Sequence, residues 1–137
     1  MFNAPFDTTS NAKKPLFIAK KKEVQTDDYM NEIVIYDTPF YFGMVNYEPL
    51  TGNDLEAYIK TYGETNRSII RLFIDYIYKD VIKQFDLAYL YGVTPDSEKI
   101  NGNNANYSVK TAKEQNTKIM VLFEEIIKED SNGNSQD

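Results

Sequence analysis

The sequence contains no cysteine and no histidine. Without cysteine there is no disulfide, no thiolate zinc site and no sulfur nucleophile. Without histidine there is no imidazole base, which removes the commonest way of activating a serine or a water. Chemistry carried by carboxylates alone, or by carboxylate-bound magnesium, passes this filter. Long apolar runs are missing too. Ile69-Ile70 and Leu72–Ile74 are split by Arg71 and closed by Asp75, so nothing approaches the roughly 20 apolar residues that span a bilayer. Met1 opens no signal-peptide pattern. The expectation is a soluble product made in a cytoplasm, with no membrane partner.

What is present suits one domain. A chain of 137 residues with 42% apolar and 26% charged side chains can build a single core. The net charge is −6, whereas a phosphate backbone is gripped by clustered Lys and Arg through counterion release. The basic clusters are Lys20-Lys21-Lys22 and Lys13-Lys14, and a solvated strand end or arm explains both without nucleic acid. Eleven Tyr and eight Phe stand out. A tyrosine buries its ring and keeps its hydroxyl wet, which fits strand surfaces and protein interfaces.

Along the chain, residues 1–14 are polar and lack periodicity, which predicts an arm that is disordered by itself. Phe2, Pro5 and Phe6 in this arm are candidate contacts to a neighbouring subunit. Residues 129–137 (EDSNGNSQD) read as a solvated polar tail. Between them, residues 15–128 are expected to form one mainly β domain. Leu16–Val24 is a predicted first strand. Asn31–Tyr36 has period-two spacing, Asp37-Thr38-Pro39 turns the chain, and Phe40–Tyr47 follows with Gly43 as a possible bulge. Leu50–Gly63 predicts a short helix capped by Asn53 or Asp54, with Leu55, Tyr58 and Ile59 on one face and Gly63 as its stop. Ser68–Tyr78 fits either period: Ile70, Leu72, Ile74 and Tyr76 alternate as in a strand, while Ile69, Phe73 and Tyr76 mark a helical stripe. Its β-branched and aromatic content favours the strand. Phe85–Tyr91 is a further strand, Gly92–Asn106 a long polar loop, and Tyr107–Lys113 with Lys118–Ile127 a hairpin turning at Glu114–Thr117. The expected fold is a small β-barrel or sandwich of about six short strands with one short helix.

Candidate chemistry is sparse. Asp27-Asp28 and Asp54 with Glu56 offer oxygen ligands for a hard cation, but no EF-hand spacing accompanies them, and such acids usually sit in solvated turns. Glu124 and Glu125 are adjacent in a strand and point to opposite faces, so they cannot act as a pair. Asp86 either has a function or completes the preceding turn, and the turn is the simpler reading. No nucleophile has a base beside it. The expectation is no enzyme, no cofactor and no metal.

The order of NEIVIYDTPFYF, YEPLTG, TYGETNRSIIRLFID, FDLAYLYG and NANYSVKTAKEQNTKIMVLFEEI, running from about Leu16 to Ile127, resembles head-closure proteins of long-tailed bacteriophages. These are the head–tail connectors called stoppers. The most telling parts are Tyr62-Gly63-Glu64, the stretch Phe85–Leu90 and the hairpin beginning at Asn106-Tyr107. The resemblance implies a virion protein at the neck, assembled in the host cytoplasm into a homo-oligomeric ring. Portal and adaptor proteins would lie on the head side and the tail terminator or tail tube on the other. Such a ring closes the DNA exit after packaging and gives the tail a docking surface. Packaged double-stranded DNA would pass without specific binding, since subunits of net charge −6 repel phosphate.

Gating then falls to a loop that narrows the channel. The candidates are Asn101, Gly102, Asn103 and Asn104 in the long loop, and Thr51, Gly52 and Asn53 at the start of the helical segment. Shortening the long loop is expected to give particles that assemble but leak DNA. Other readings are a tail terminator or another neck ring, a small β-barrel module binding a carbohydrate or peptide on its aromatics, and, least favoured, a carboxylate hydrolase using Asp54 or Glu56.

Overall fold

The computed structural model describes residues 13–96 and 104–127. Of these residues, 49% lie in strands and 13% in helix. The mainly β architecture is therefore as the sequence predicts: one curled seven-stranded sheet forming a half-barrel, one helix, and a separate two-stranded hairpin.

In chain order the strands are β1 (Lys14–Ala19), β2 (Lys21–Thr26), β3 (Glu32–Tyr36), β4 (Phe40–Val45), β5 (Tyr47–Pro49), β6 (Ile69–Asp75), β7 (Leu87–Tyr89), β8 (Tyr107–Gln115) and β9 (Lys118–Glu125). Helix α1 (Gly52–Tyr62) lies between β5 and β6. The large sheet runs β4-β1-β7-β8-β9-β6-β5, and every pair in it is antiparallel. Its two edge strands, β4 and β5, are consecutive in the chain with only Asn46 between them. The chain itself thus links one edge of the curled sheet to the other.

The concave face holds the main core. Leu16, Ile18, Ile70, Leu72, Ile74, Val109, Val121 and Phe123 are all buried there. Period-two spacing on β6 puts Ile70, Leu72 and Ile74 inward and leaves Arg71, Phe73 and Asp75 outward. This resolves the double periodicity of 68–78 as a strand, which ends in a single 3-10 turn over Tyr76–Tyr78.

Ile69 and Leu122 are also buried, although they face away from that core. They lie under α1 with Leu50 and Tyr58 in a second cluster, so the helix covers one patch of the outer surface.

Several predicted boundaries shift for local reasons. Leu16–Val24 is two strands, because the chain leaves the sheet at Lys20 and, among the described residues, β2 pairs only with β3. Helix α1 starts earlier than an Asn53 or Asp54 cap implies. Thr51 is its N-cap, in extended backbone and without a side-chain cap bond, and its carbonyl accepts the Leu55 N–H at 3.3 Å. Asp54 turns instead to Arg71. Gly63 ends the helix as expected, with φ +96 and its N–H donating to the Ile59 carbonyl at 2.7 Å. A Cβ is strained in that conformation. The register of β1 on β4 slips by one between Gly43 and Tyr41, so the bulge expected at Gly43 is present, with φ +146. The β8–β9 hairpin turns on Asn116 and Thr117 alone, with Asn116 at φ +57.

Lys14 already belongs to β1. The proposed arm contacts Phe2, Pro5 and Phe6, the loop residues Asn101, Gly102 and Asn103, and the tail 129–137 lie outside the described residues.

Candidate interaction surface

The feature least explained by the needs of a folded monomer is the β2–β3 hairpin. All six residues of β2 are exposed, and among the described residues the hairpin pairs with no other strand. Its register sets Val24 opposite Val34 on one face and Gln25 opposite Ile33 on the other. Val24, Ile33 and Val34 are each about half bare, so neither face is sealed. At the tip, Tyr29 and Met30 are 83% and 81% exposed. An isolated two-stranded hairpin is marginal in water, and large apolar side chains grouped on a projection mark a contact surface.

The sequence builds the tip deliberately. The Asp27 carboxylate accepts the backbone N–H groups of Tyr29 at 2.9 Å and Asn31 at 2.8 Å. The Asp27 N–H donates to the Asn31 carbonyl at 2.9 Å, and Met30 takes a positive φ of 68. This is an Asx turn. The Asn31 N–H is the main cause holding the Asp27 carboxyl below its ordinary value. Asp27, offered by the sequence as a cation ligand, is thus occupied in shaping the turn that presents Tyr29 and Met30.

The base of the hairpin is bolted to the barrel. Asp86 is 2% exposed. It receives the Lys20 ammonium at 2.6 Å, the Lys21 N–H at 2.9 Å and the Lys83 N–H at 2.8 Å. Lys20 Nζ also donates to the Val81 carbonyl at 2.7 Å, and the Lys20 carbonyl accepts the Asp37 N–H at 2.8 Å. One buried carboxylate therefore ties the point where β1 becomes β2 to the turn before β7. Asp86 does finish that turn, as the simpler reading holds, and it also fixes the hairpin.

The other predicted residues fall elsewhere. Thr51, Gly52 and Asn53 form the start of α1, a helix anchored on the sheet through Leu55 and Tyr58. Asn104 Nδ2 donates to the Thr94 carbonyl at 2.7 Å, and its Oδ1 accepts the Asp96 N–H at 3.2 Å. Asn104 thus joins the two described stems of the 92–106 loop. Asn106 does the same deeper in, bonding both the N–H of Leu90 at 2.9 Å and its carbonyl at 3.0 Å. Asp54 pairs with Arg71 at 2.9 Å, and Arg71 also holds Glu48 at 2.6 Å. Glu125 accepts the Ser68 N–H at 3.1 Å, while Glu124 lines a separate basin.

That basin, of about 560 Å³, lies beside the end of α1. Tyr58 and Tyr62 pack at 4.7 Å between ring centroids, and Lys110 sits 5.2 Å over the Tyr62 ring. Glu64, Arg67 and Glu124 complete its charged lining. Burial, with Glu124 and Tyr62 nearby, pushes the Tyr58 hydroxyl up to about 12, so it stays neutral and able to donate.

Sequence reasoning read the Lys20–Lys22 cluster as a solvated strand end and did not single out Tyr29 or Met30. The available signal was DDYMN between two strand-like runs, a turn sequence with two large apolar residues at its apex.

Fold and surface together define a mainly β half-barrel domain carrying a rigidly rooted, apolar-tipped hairpin. No protein-family model, curated protein or solved structure matches the chain.

Proposed function

We propose that this chain is a structural subunit of a homo-oligomeric ring at the head–tail neck of a long-tailed bacteriophage, where the ring closes the DNA exit and receives the tail. The observation carrying this reading is the β2–β3 hairpin, which bares Val24, Tyr29, Met30, Ile33 and Val34 while its base is held by Lys20 and Asp86. A rigid body with a marginal, apolar projection is the form expected of a subunit completed by its neighbours. The motif order resembling head-closure proteins supplies the biological setting. A net charge of −6 per subunit keeps a DNA channel from adhering to the duplex.

The test is assembly. Purified protein, alone or mixed with the portal–adaptor complex of the same phage, is examined by light scattering and electron microscopy. Rings, or stoichiometric capture by the portal complex, are the expected result. A chain that stays monomeric and ignores that complex overturns the reading, and capture by tail-tube subunits alone reassigns it to a tail terminator.

A second reading, a ligand-binding module, is favoured by one feature. The basin beside Tyr58 and Tyr62 offers an aromatic wall with Arg67, Lys110 and Glu124 as polar contacts, the mixture that binds a sugar or a peptide. Saturable binding to the monomer that is lost in Tyr62→Ala would support it.

A further inference from the structure

A groove of about 370 Å³ separates β4 from the end of β6. Phe42 and Met44 line it from β4 and Phe73 from β6, with Lys13 beside them, and the Phe42 and Tyr78 rings meet edge-on at 5.2 Å between centroids, closing one end of it. Met44 and Phe73 leave 50% and 47% of their surface bare. The backbone of the walls is also unfinished. Among the described residues β4 is an edge strand, and β6 continues through Phe73, Ile74 and Asp75 after its pairing with β5 has ended at Leu72. Backbone donors and acceptors beside half-buried apolar side chains are best satisfied by another extended segment.

We propose that the groove is filled by residues 1–12 of the same chain, with Phe2–Phe6 added as a strand along the free edge of β4. Three observations converge on this occupant. In FNAPF, Phe2, Ala4 and Phe6 alternate with Asn3 and Pro5, so one face of an extended segment is apolar. Pro5 lacks an N–H, which an added edge strand tolerates on its outer side. The next six residues, DTTSNA, are turn-forming types of a length that reverses a chain. They lead to Lys13, itself a groove residue. A segment tethered at the rim of its own site has an effective concentration in the millimolar range, so in dilute solution it outcompetes the arm of any other copy.

The inference concerns the isolated subunit and stands or falls apart from the ring. Its test is amide hydrogen exchange of the full chain at micromolar concentration, read at Met44, Val45, Phe73 and Asp75. In the double variant Phe2→Ser/Phe6→Ser these amides are expected to exchange at least about tenfold faster than in the native chain, while those of Val109 and Val121 in the core are unchanged. Both substitutions lie outside the described barrel. Equal exchange at the groove in the two proteins overturns the proposal. Protection that appears only at concentrations where the protein oligomerises overturns it in favour of a neighbour's arm or surface. Because the chain has no native cysteine, a Phe6→Cys/Met44→Cys pair gives a second readout. An intrachain disulfide supports the own-chain occupant, and a disulfide found only between chains refutes it.

Discussion

Lys20 and Asp86, 66 residues apart in sequence, meet at 2.6 Å between Nζ and Oδ2. The carboxylate is almost fully enclosed, and the lysine side chain is 25% exposed. Removing either partner is therefore not equivalent. Asp86→Ala leaves the N–H groups of Lys21 and Lys83 without their acceptor and the Lys20 ammonium with the Val81 carbonyl but no counter-charge, whereas Lys20→Met leaves the carboxylate with both of those N–H donors. Asp86→Ala is expected to lower unfolding free energy by about 3 kcal/mol, and Lys20→Met by less. Urea unfolding of the two variants gives the comparison, and a larger loss for Lys20→Met contradicts this account.

Asn106 substitutes for a strand neighbour beside Leu90, whose N–H and carbonyl it bonds together. Leu90 is fully buried and Asn106 half-buried, so truncating the amide removes its bonds to both backbone groups of Leu90. Asn106→Ala is expected to cost about 2–3 kcal/mol and Asn106→Asp at least as much, because the carboxylate cannot donate to the Leu90 carbonyl. Thermal melts of both variants decide the point.

Tyr89 is completely enclosed, and its hydroxyl has no hydrogen-bond partner among the described residues. Deleting an unsatisfied buried hydroxyl while keeping the ring removes a penalty and leaves packing intact. Tyr89→Phe is expected to gain about 1 kcal/mol. A loss of stability on urea titration would reveal a bond to that hydroxyl.

Alkaline pH is expected to weaken the fold. Burial raises the hydroxyls of Tyr47, Tyr89 and Tyr91 above their ordinary value, and that of Tyr58 to about 12. The unfolded chain therefore loses these protons first, near pH 10, and binds fewer than the native state. By linkage, stability holds up to about pH 10 and falls from there toward about 12. Denaturant midpoints measured from pH 8 to 12 trace the fall, and Tyr58→Phe is expected to make it shallower.

Surface changes at the hairpin should separate assembly from folding. Tyr29→Ser/Met30→Ser alters only side chains that are more than four-fifths exposed, so the melting free energy is expected to move by less than about 0.5 kcal/mol. Association measured by light scattering is expected to fall strongly. Unchanged assembly would remove the hairpin tip from the contact surface.

Much of the fold is legible in the residues. The Asn31–Tyr36 run and the final hairpin carry period-two spacing, and in Ser68–Tyr78, where both periods fit, β-branched and aromatic content points to the strand. The stop at Gly63 and the bulge at Gly43 follow from what glycine alone adopts easily. The candidate interaction surface is less legible. Val24, Ile33 and Val34 look like ordinary strand residues, and only the absence of a covering sheet makes them notable. Asp86 looks like a turn residue because its lysine partner lies 66 positions away.

Local pattern sets the mainly β character and many of the places where the chain turns, because these depend on side-chain periodicity and on glycine, proline and asparagine acting within a few residues. Tertiary contacts decide that Leu16–Val24 breaks at Lys20, that the edge strands β4 and β5 meet through Asn46, and that β2 and β3 pair apart from the seven-stranded sheet. Those outcomes rest on contacts between residues tens of positions apart, where buried charge pairing and sheet curvature choose among arrangements that local preference leaves equal.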